Sequence, residues 1–443
     1  MTDLAIAESA EPVLIETERT PAAWPLARRL LFRFLCCYFI LYGLPEPGRI
    51  SVISGIPGAA LVFQPYTWLW HSICPWVAIH IFHLSGKPTT YFPTGSGDTT
   101  LAYIENLLYI VFALIGALAW SLVDYKRPDY RRLHSWLRLF VRYTLALTLL
   151  GYGFAKVFPL QFQPPSFEKL TEPYGEFSPM GVLWNFMGAS LPYVIFSGAA
   201  EVLGGLLLLF RRTTSLGAMI AFGVLLNVAA LNFCYDVPVK LYSANLLLMS
   251  LFLLAPDLRR LASVLLLNRA TAPADLTAPR FERLWLRRSA TAFWVLFVGY
   301  TLFIAILEGW AGYKQYYVDA PRPPLYGLFD VESFARNGQE VPPLITEATR
   351  WRRVAVTWPQ FLRIRMMDDS TIGYGASYDT NKNTVTLNQK DVLAWSRPDS
   401  THVLLQGTLS NDTVVIRLNK VDPSKFLLVS RGFHWINEMP LNR

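Results

Sequence analysis

The chain has 443 residues, of which 53% are hydrophobic and only 16% are charged, and its mean hydropathy is +0.30. This balance is too apolar for an ordinary soluble enzyme and predicts a multi-pass membrane protein. The formal charge of +8 would suit a nucleic-acid-binding protein, but most of the excess Lys and Arg flanks apolar segments. We therefore expect membrane lipid, and no nucleic acid, among its partners. Four scattered cysteines exclude a disulfide framework.

The first 25 residues are acidic and contain several prolines. They have no basic region followed by an apolar core, so they do not resemble a cleavable signal peptide. Residues 1–25 are therefore predicted to form a disordered cytoplasmic tail.

Apolar segments of membrane-spanning length follow, and they predict an all-α helical membrane domain over residues 26–311. One further apolar segment, residues 66–84, contains Pro75 and three histidines. If it crossed the membrane, the basic loop at 126–132 would lie on the outer side, so we predict an interfacial or re-entrant helix. The predicted spans are residues 30–44, 101–123, 136–158, 193–210, 215–233, 240–254 and 289–311.

The distribution of basic residues orients these seven spans. Segments assigned to the cytoplasmic side hold 19 Lys and Arg, against five in the outer loops of this domain. The positive-inside rule then predicts a bacterial-type inner membrane protein with a cytoplasmic amino terminus and an outer carboxyl-terminal domain. Arg33 lies inside the first span and is expected to extend toward the cytoplasmic surface.

A proline-rich linker at residues 312–325 precedes a change in composition. From residue 326 to 443 apolar and polar residues alternate with period two, as in FLRIRMM and TVVIRLNKV. Turn-forming residues separate about eight such runs, which predicts a small closed antiparallel β-barrel. The aromatic segment GFHWINE, residues 432–438, could close the barrel or dock it onto the membrane domain, and packing into the barrel core is the favoured interpretation.

Residues 227–245 carry polar side chains in otherwise apolar sequence, where each polar group needs a partner or water. Asp236 and Lys240 are four residues apart across Pro238. They are expected either to pair and clamp the helical hairpin or to bind a polar headgroup together with Lys156. The polar residues of this stretch are Asn227, Asn232, Asp236, Lys240 and Asn245.

Glu201 lies near the middle of a predicted span, where a charged carboxylate costs about 2.5–3.5 kcal/mol. It must be paired, protonated or in contact with water. Two interpretations are equally open: a proton or ligand site, and a polar contact between helices. The small residues Ala200, Gly204 and Gly205 would let another helix approach, bringing a partner such as Asn227.

Three histidines, His71, His80 and His83, share the outer interfacial segment. His80 and His83 are three residues apart and would share a helix face, as metal or haem ligands require. No carboxylate or cysteine pair accompanies them, so we predict interfacial histidines bonded to water and no metal site. A histidine at this level would also suit a quinone, whose carbonyl needs a proton partner.

Four predicted spans, residues 136–261, resemble the DoxX family. The resemblance rests on RYTLALTLLGYGFAKVF, AAEVLGGLLLLFRRTTSLGA and NLLLMSLFLLAPDLRRL. It implies a four-helix membrane module whose polar positions are Lys156 and Glu201, in a family with members linked to quinone-dependent thiosulfate oxidation. The start of the outer domain, YGLFDVESFARNG followed by RWRRVAVTW, resembles lipocalin-like barrels.

Two functions follow as hypotheses. The first is a quinone- or lipid-linked redox component, with quinone as the suggested cofactor. Its site would lie at the outer ends of the helices that carry Lys156, Glu201, Asp236 and Lys240, roofed by residues 66–100. The second is a non-enzymatic carrier or envelope scaffold that holds a hydrophobic ligand between the helices and the barrel.

Overall fold

The computed structural model describes residues 23–44, 56, 58–92, 94–274, 276 and 282–442. The predicted tail lies outside the described residues up to residue 22. Its last part is not disordered: the Trp24 side chain is 5% exposed, and its backbone N–H donates to the Pro128 carbonyl at 2.9 Å. An aromatic cluster with Phe32 and Tyr130 holds it.

Helices make up the first three quarters of the described chain. Two of the α-helices begin with a capping side chain: the Thr99 hydroxyl accepts from the Ala102 N–H at 3.2 Å, and the Ser178 hydroxyl accepts from the Gly181 N–H at 3.0 Å. The α-helices are α1 (Leu26–Gly43), α2 (Ala59–Val62), α3 (Gln64–His80), α4 (Thr100–Val123), α5 (Arg131–Val157), α6 (Pro179–Gly188), α7 (Leu191–Leu209), α8 (Thr214–Cys234), α9 (Lys240–Leu254), α10 (Leu258–Leu265), α11 (Leu284–Tyr313) and the short α12 (Leu427–Ser430).

Four helices form a closed ring at the centre of the bundle. Helix α5 packs on α7, α7 on α8, α8 on α9, and α9 returns to α5. This ring coincides with the four-helix module predicted over residues 136–261. Helices α1, α3 and α4 pack along one side of the ring, and α11 meets the bundle near Gly309 and Gly312, beside Phe158 and Leu160.

Glycines allow α5 and α7 to approach each other very closely. A Cβ atom on Gly198 would lie 2.6 Å from the Gly153 carbonyl oxygen, and one on Gly205 would lie 3.0 Å from the Ala146 carbonyl oxygen. Gly198 therefore faces the end of α5 and Gly205 its middle, so the two helices are antiparallel. The sequence predicted a small-residue face, but Gly198 rather than Ala200 makes the tightest contact.

Five helices in the described residues are long and apolar enough to cross a membrane. Predicted spans 1 and 3, now α1 and α5, are not among the five. Arginines occupy the first half of α1, and α5 carries Arg138, Arg142 and Lys156 within its length. The five are Thr100–Val123, Leu191–Leu209, Thr214–Cys234, Lys240–Leu265 and Leu284–Val318. The count of seven spans therefore stays a prediction.

Arg33 does not extend to the surface as predicted. Its side chain is 1% exposed, and its guanidinium donates to the Ser121 hydroxyl at 2.7 Å and to the Asp124 carbonyl at 2.8 Å. Two further bonds reach the Tyr130 hydroxyl at 3.0 and 2.8 Å, and that hydroxyl donates to the Asp124 carboxylate. Acceptors at the end of α4 and just before α5 therefore bind the guanidinium, which was expected to reach the membrane surface.

The segment predicted to be interfacial or re-entrant contains α3, with Pro75 inside the helix. One face packs on α4, where the Trp70 and Tyr109 rings have centroids 4.7 Å apart. Trp68 and Trp76 on the other side are 69% and 54% exposed. At 17 residues, α3 is shorter than any of the five long apolar helices.

The predicted β-barrel is confirmed. Eight antiparallel strands close through pairing of β1 with β9, and the two-residue β2 pairs antiparallel with the end of β1. Predicted turns fall between strands: Ser410 and Asn411 join β8 and β9 with positive φ angles of 52° and 75°. The strands are β1 (Gly327–Arg336), β2 (Gln339–Glu340), β3 (Trp351–Trp358), β4 (Phe361–Met366), β5 (Thr371–Asp379), β6 (Thr384–Leu387), β7 (Asp391–Ser396), β8 (His402–Leu409) and β9 (Asp412–Lys420).

Side chains fill the barrel interior. Every strand except β2 contributes buried apolar residues to one cluster that includes Phe334, Trp351, Ile364 and Ile416. The burial alternates along the strands, as the period-two pattern requires. The interior is therefore a packed core.

The aromatic segment near the carboxyl end is not in that core, contrary to the prediction. Phe433, Trp435 and Ile436 are 76%, 90% and 76% exposed. The β1–β9 pairing closes the barrel before this segment begins, so no interior space is left for it.

His402 in the barrel lies between two carboxylates. Its ring nitrogens are 2.7 Å from Asp399 and 3.3 Å from Glu332. The hydrogen bond with Asp399, reinforced by Glu332, raises the pKa of His402 above its usual value.

The barrel contacts the segment between α5 and α6. Arg363 on β4 pairs with Glu168 at 2.9 Å, and Arg365 donates to the Thr171 carbonyl at 2.8 Å. The Phe167 and Tyr326 rings also meet, with centroids 5.2 Å apart. The barrel therefore lies at the end of the bundle where α5 finishes.

The glycine contact predicts an unusual substitution effect. Ala normally stabilises a helix by about 1 kcal/mol relative to Gly. We expect Gly198→Ala to destabilise the protein by about 1–3 kcal/mol instead, because its methyl group would overlap the Gly153 carbonyl. Thermal unfolding in mild detergent measures this. Gly299→Ala in α11 is the matched control, because no atom lies within 4 Å of a Cβ added there. This variant should melt no lower than wild type. Equal melting of both variants would contradict the prediction.

Candidate functional site

A buried ion pair joins the end of α5 to the middle of α7. The Lys156 ammonium nitrogen lies 2.8 Å from Oε1 and 2.7 Å from Oε2 of Glu201. The two side chains are 8% and 5% exposed. Glu201 is therefore paired, as one of the sequence interpretations required, but its partner is Lys156 and not Asn227.

The glycine contact explains this pairing geometrically. Gly153 and Gly198 each precede one member of the pair by three residues, which is about one helical turn. The close backbone approach at these glycines brings both side chains to one shared face. A buried pair in this position costs desolvation of both charges, which the bidentate contact offsets.

A cavity of about 380 Å³ adjoins the ion pair inside the helical ring. Its walls are mainly apolar and aromatic, as in sites for small hydrophobic molecules. Its polar lining residues include Lys156, Glu201 and Asn232, with Tyr152 and Gln161. The apolar lining includes Leu149, Phe162, Leu183, Trp184, Met187, Val228, Leu231, Val237 and Leu246.

Among the buried polar atoms of the lining, Nδ2 of Asn232 and Oε1 of Gln161 have no hydrogen-bond partner within the described residues. An unsatisfied buried polar atom costs about 1–3 kcal/mol. A donor and an acceptor thus remain for water or for the polar part of a ligand.

The cavity opens sideways to the surface of the bundle, between α7 and α8. Tyr193 and Phe196, which line it from α7, are 42% and 68% exposed. Gly223 and Asn227 line it from α8 and are also exposed. An elongated apolar molecule could therefore extend sideways out of the ring.

Asp236 and Lys240 lie beyond this cavity and do not line it. The Lys240 ammonium is 2.7 Å from Asp236 and 3.7 Å from Asp98. Asp98 also accepts hydrogen bonds from the backbone N–H groups of Lys240 and Leu241, at 2.8 and 3.0 Å. The pair predicted from the sequence therefore exists, and its contacts hold the α8–α9 hairpin.

The predicted roof over the site is largely wrong. Of residues 66–100, Gly97 and Asp98 contact the hairpin, and the Gly97 N–H donates to the Pro238 carbonyl at 2.8 Å. The cavity is covered by residues 159–188 instead, through Phe162 and α6. No pattern in the sequence indicated that this segment covers the site.

The three interfacial histidines are outside the cavity. His71 stacks on Tyr91 with centroids 3.9 Å apart, and His80 stacks on Trp76 at 4.9 Å. His83 is exposed and has a positive φ of 53°, so it no longer shares a helix face with His80. Among the described residues no three His, Cys, Asp or Glu side chains form a group that could hold a metal ion.

Asn245 belongs to a separate buried polar contact. The Tyr38 hydroxyl lies 2.5 Å from Oδ1 of Asn245 and 2.9 Å from Oδ1 of Asn106. These side chains join α1, α4 and α9. The polar stretch at 227–245 thus divides into two cavity residues (Asn227 and Asn232), a hairpin clamp (Asp236 and Lys240) and a helix contact (Asn245).

A double-mutant cycle tests what the buried ion pair contributes. Lys156→Met or Glu201→Met alone should destabilise the protein by about 3–5 kcal/mol, because each leaves an uncompensated buried charge. The double variant should recover most of the loss. Unfolding of the four proteins in mild detergent gives the coupling energy. Single variants as stable as wild type would show that the pair does not hold α5 and α7 together.

Comparisons with known proteins assign no chemistry. No family model matches the chain, and no solved structure matches it. Neither comparison points to the DoxX or lipocalin families. Over 123 residues, which are 28% of this chain and 78% of the relative, it is 35% identical to "Uncharacterized protein YwoB" of Bacillus subtilis (strain 168). Through that segment the chain belongs to the same family as YwoB.

Proposed function

We propose that this chain is an integral inner-membrane protein whose helical ring binds a hydrophobic ligand with a polar head. The five long apolar helices support a membrane location. The proposal includes α1 and α5 as additional spans. The 27 residues of α5 extend about 40 Å, which exceeds the roughly 30 Å hydrocarbon layer despite its basic first turns.

The proposed orientation places the amino terminus in the cytoplasm and the barrel outside. It rests on the excess of Lys and Arg in the inner segments. It also places the Lys156–Glu201 pair toward the outer face, on the side where the barrel contacts the bundle.

A topology reporter tests this orientation. We expect a periplasmic reporter fused after Arg443 to be active, and a cytoplasmic reporter at the same position to be inactive. A cytoplasmic-only signal would mean that residues 66–84 also span, or that one of the seven segments does not.

The cavity beside the ion pair carries the ligand proposal. The ligand head would meet the Lys156 ammonium, the unpartnered Asn232 amide and the unpartnered Gln161 carbonyl. Its apolar tail would leave past Phe196 and Gly223 into the lipid. This combination of a few polar groups with an apolar exit suits a quinone or a lipid of similar shape.

A quinone-linked redox role is the first form of this proposal. Reduction of a quinone to a quinol takes up two electrons and two protons. Lys156 would donate a hydrogen bond to a quinone carbonyl, and Glu201 would exchange a proton with the bound head. The electrons would come from a separate redox protein.

A carrier or scaffold role is the second form, and one observation favours it. Lys156 and Glu201 neutralise each other in a bidentate pair, which suits binding without proton transfer. The cover of the cavity, residues 159–188, also contacts β4 of the barrel. Because the barrel interior is packed, this form too places the ligand in the helical ring.

Purification in mild detergent first tests whether the protein retains a ligand in this cavity. We expect mass spectrometry of the extracted protein to detect one hydrophobic molecule near 1:1 stoichiometry. Gly223→Phe should lose it, because Gly223 lines the cavity opening and a Phe ring would occupy that opening. The variant should still fold, because no atom lies within 4 Å of a Cβ added at Gly223. Gly299→Phe, another open helical glycine, is the control and should retain it.

The absorption spectrum of the oxidised and reduced protein then assigns the form. A quinone signal supports the redox role, and a colourless protein with bound lipid supports the carrier. Equal ligand retention by Gly223→Phe and Gly299→Phe would overturn the proposed site.

A further inference from the structure

A second cavity, of about 920 Å³, lies at the opposite end of the bundle. It is formed where α5 begins and where α7 and α9 end, about 20 Å along α5 from the Lys156–Glu201 pair. Two carboxylates line it, Asp257 and Glu282, against nine guanidinium groups. These belong to Arg28, Arg131, Arg132, Arg138, Arg142, Arg211, Arg212, Arg259 and Arg260.

The carboxylates near this cavity neutralise only part of its charge. Asp257 pairs with Arg260 at 3.1 Å and lies 3.9 Å from Arg138. Arg131 pairs with Asp129 at 3.1 Å. Positive charge remains in excess, because Arg132, Arg212 and Arg259 have no carboxylate partner among the described residues. All three are exposed to the cavity side and to solvent.

Arg142 is the most constrained of these arginines. It is 7% exposed, and its guanidinium donates to the Thr214 hydroxyl and the Tyr143 hydroxyl, each at 3.2 Å. Its Nε atom has no partner within the described part of the chain. Neutral hydroxyls do not balance a buried charge, so this group favours a bound anion.

The positive-inside rule explains a basic cytoplasmic side but not this convergence. Four separate segments of the chain direct arginines into one concave space, and none of the lining residues is lysine. The planar guanidinium binds phosphate with two parallel hydrogen bonds, which the lysine ammonium does not. The presence of nine arginines and no lysine in this lining therefore favours phosphate recognition.

We propose that this cavity binds a ligand carrying two or more phosphate groups. Two sources share this chemistry: the headgroup of a bis-phosphate membrane lipid and a soluble diphosphate. Basic pockets between membrane helices on the cytoplasmic side are known sites for such headgroups. The site is separate from the Lys156–Glu201 cavity and does not depend on the ligand proposed there.

The test compares Arg212→Gln/Arg259→Gln with wild type, using full-length protein purified in mild detergent and stripped of lipid. These two arginines are exposed, so their loss should not prevent folding. Inorganic pyrophosphate binding is measured by thermal shift, and cardiolipin binding by native mass spectrometry. We expect affinity for one of these ligands to fall at least about tenfold in the variant.

A matched control variant and the mono-anion acetate test whether the binding is specific to this cavity and to polyanions. Arg287→Gln/Arg288→Gln removes two arginines near the start of α11 that do not line the cavity, and it should bind as wild type does. Loss of cardiolipin binding alone assigns the lipid source, and loss of pyrophosphate binding alone assigns the soluble source. Equal weakening in both variants, or wild-type binding no stronger than that of acetate, would overturn the proposal.

Discussion

The antiparallel approach of α5 and α7 at Gly153 and Gly198 is the contact on which the helical bundle depends. Because neither glycine has a side chain, the two helix backbones approach closely. One helical turn further along, the Lys156 ammonium therefore reaches Glu201. A charge that would be costly in an apolar surrounding is then neutralised within the protein. Helices α8 and α9 complete the ring around the same level, which leaves the cavity beside the pair.

The two ends of the bundle differ in their balance of positive and negative side chains. At the barrel end, one lysine and one glutamate cancel inside a mainly apolar cavity. At the other end, nine arginines surround a larger space with two carboxylates. The first arrangement suits a hydrophobic molecule with a small polar head, and the second suits a polyanion. The two proposed sites therefore differ in the chemistry of the ligand that each would hold.

The barrel contributes to the first site from outside. Its core is filled by side chains, so it offers no room for a hydrophobic ligand. Its β4 arginines hold residues 159–178 through Glu168, Thr171 and Glu176. Because the same connection continues into α6, the barrel is positioned to stabilise the cover of the cavity.

The sequence by itself determined the element types, because local periodicity and length decide whether a segment forms an apolar helix or an alternating strand. It also located Lys156, Glu201 and Asn232 as polar groups that need partners. Only the tertiary structure decided which groups meet. The pairing of Lys156 with Glu201, the cover by α6, the burial of Arg33 and the convergence of nine arginines all join residues distant in the chain. Such contacts depend on helix register and packing, which no local pattern specifies.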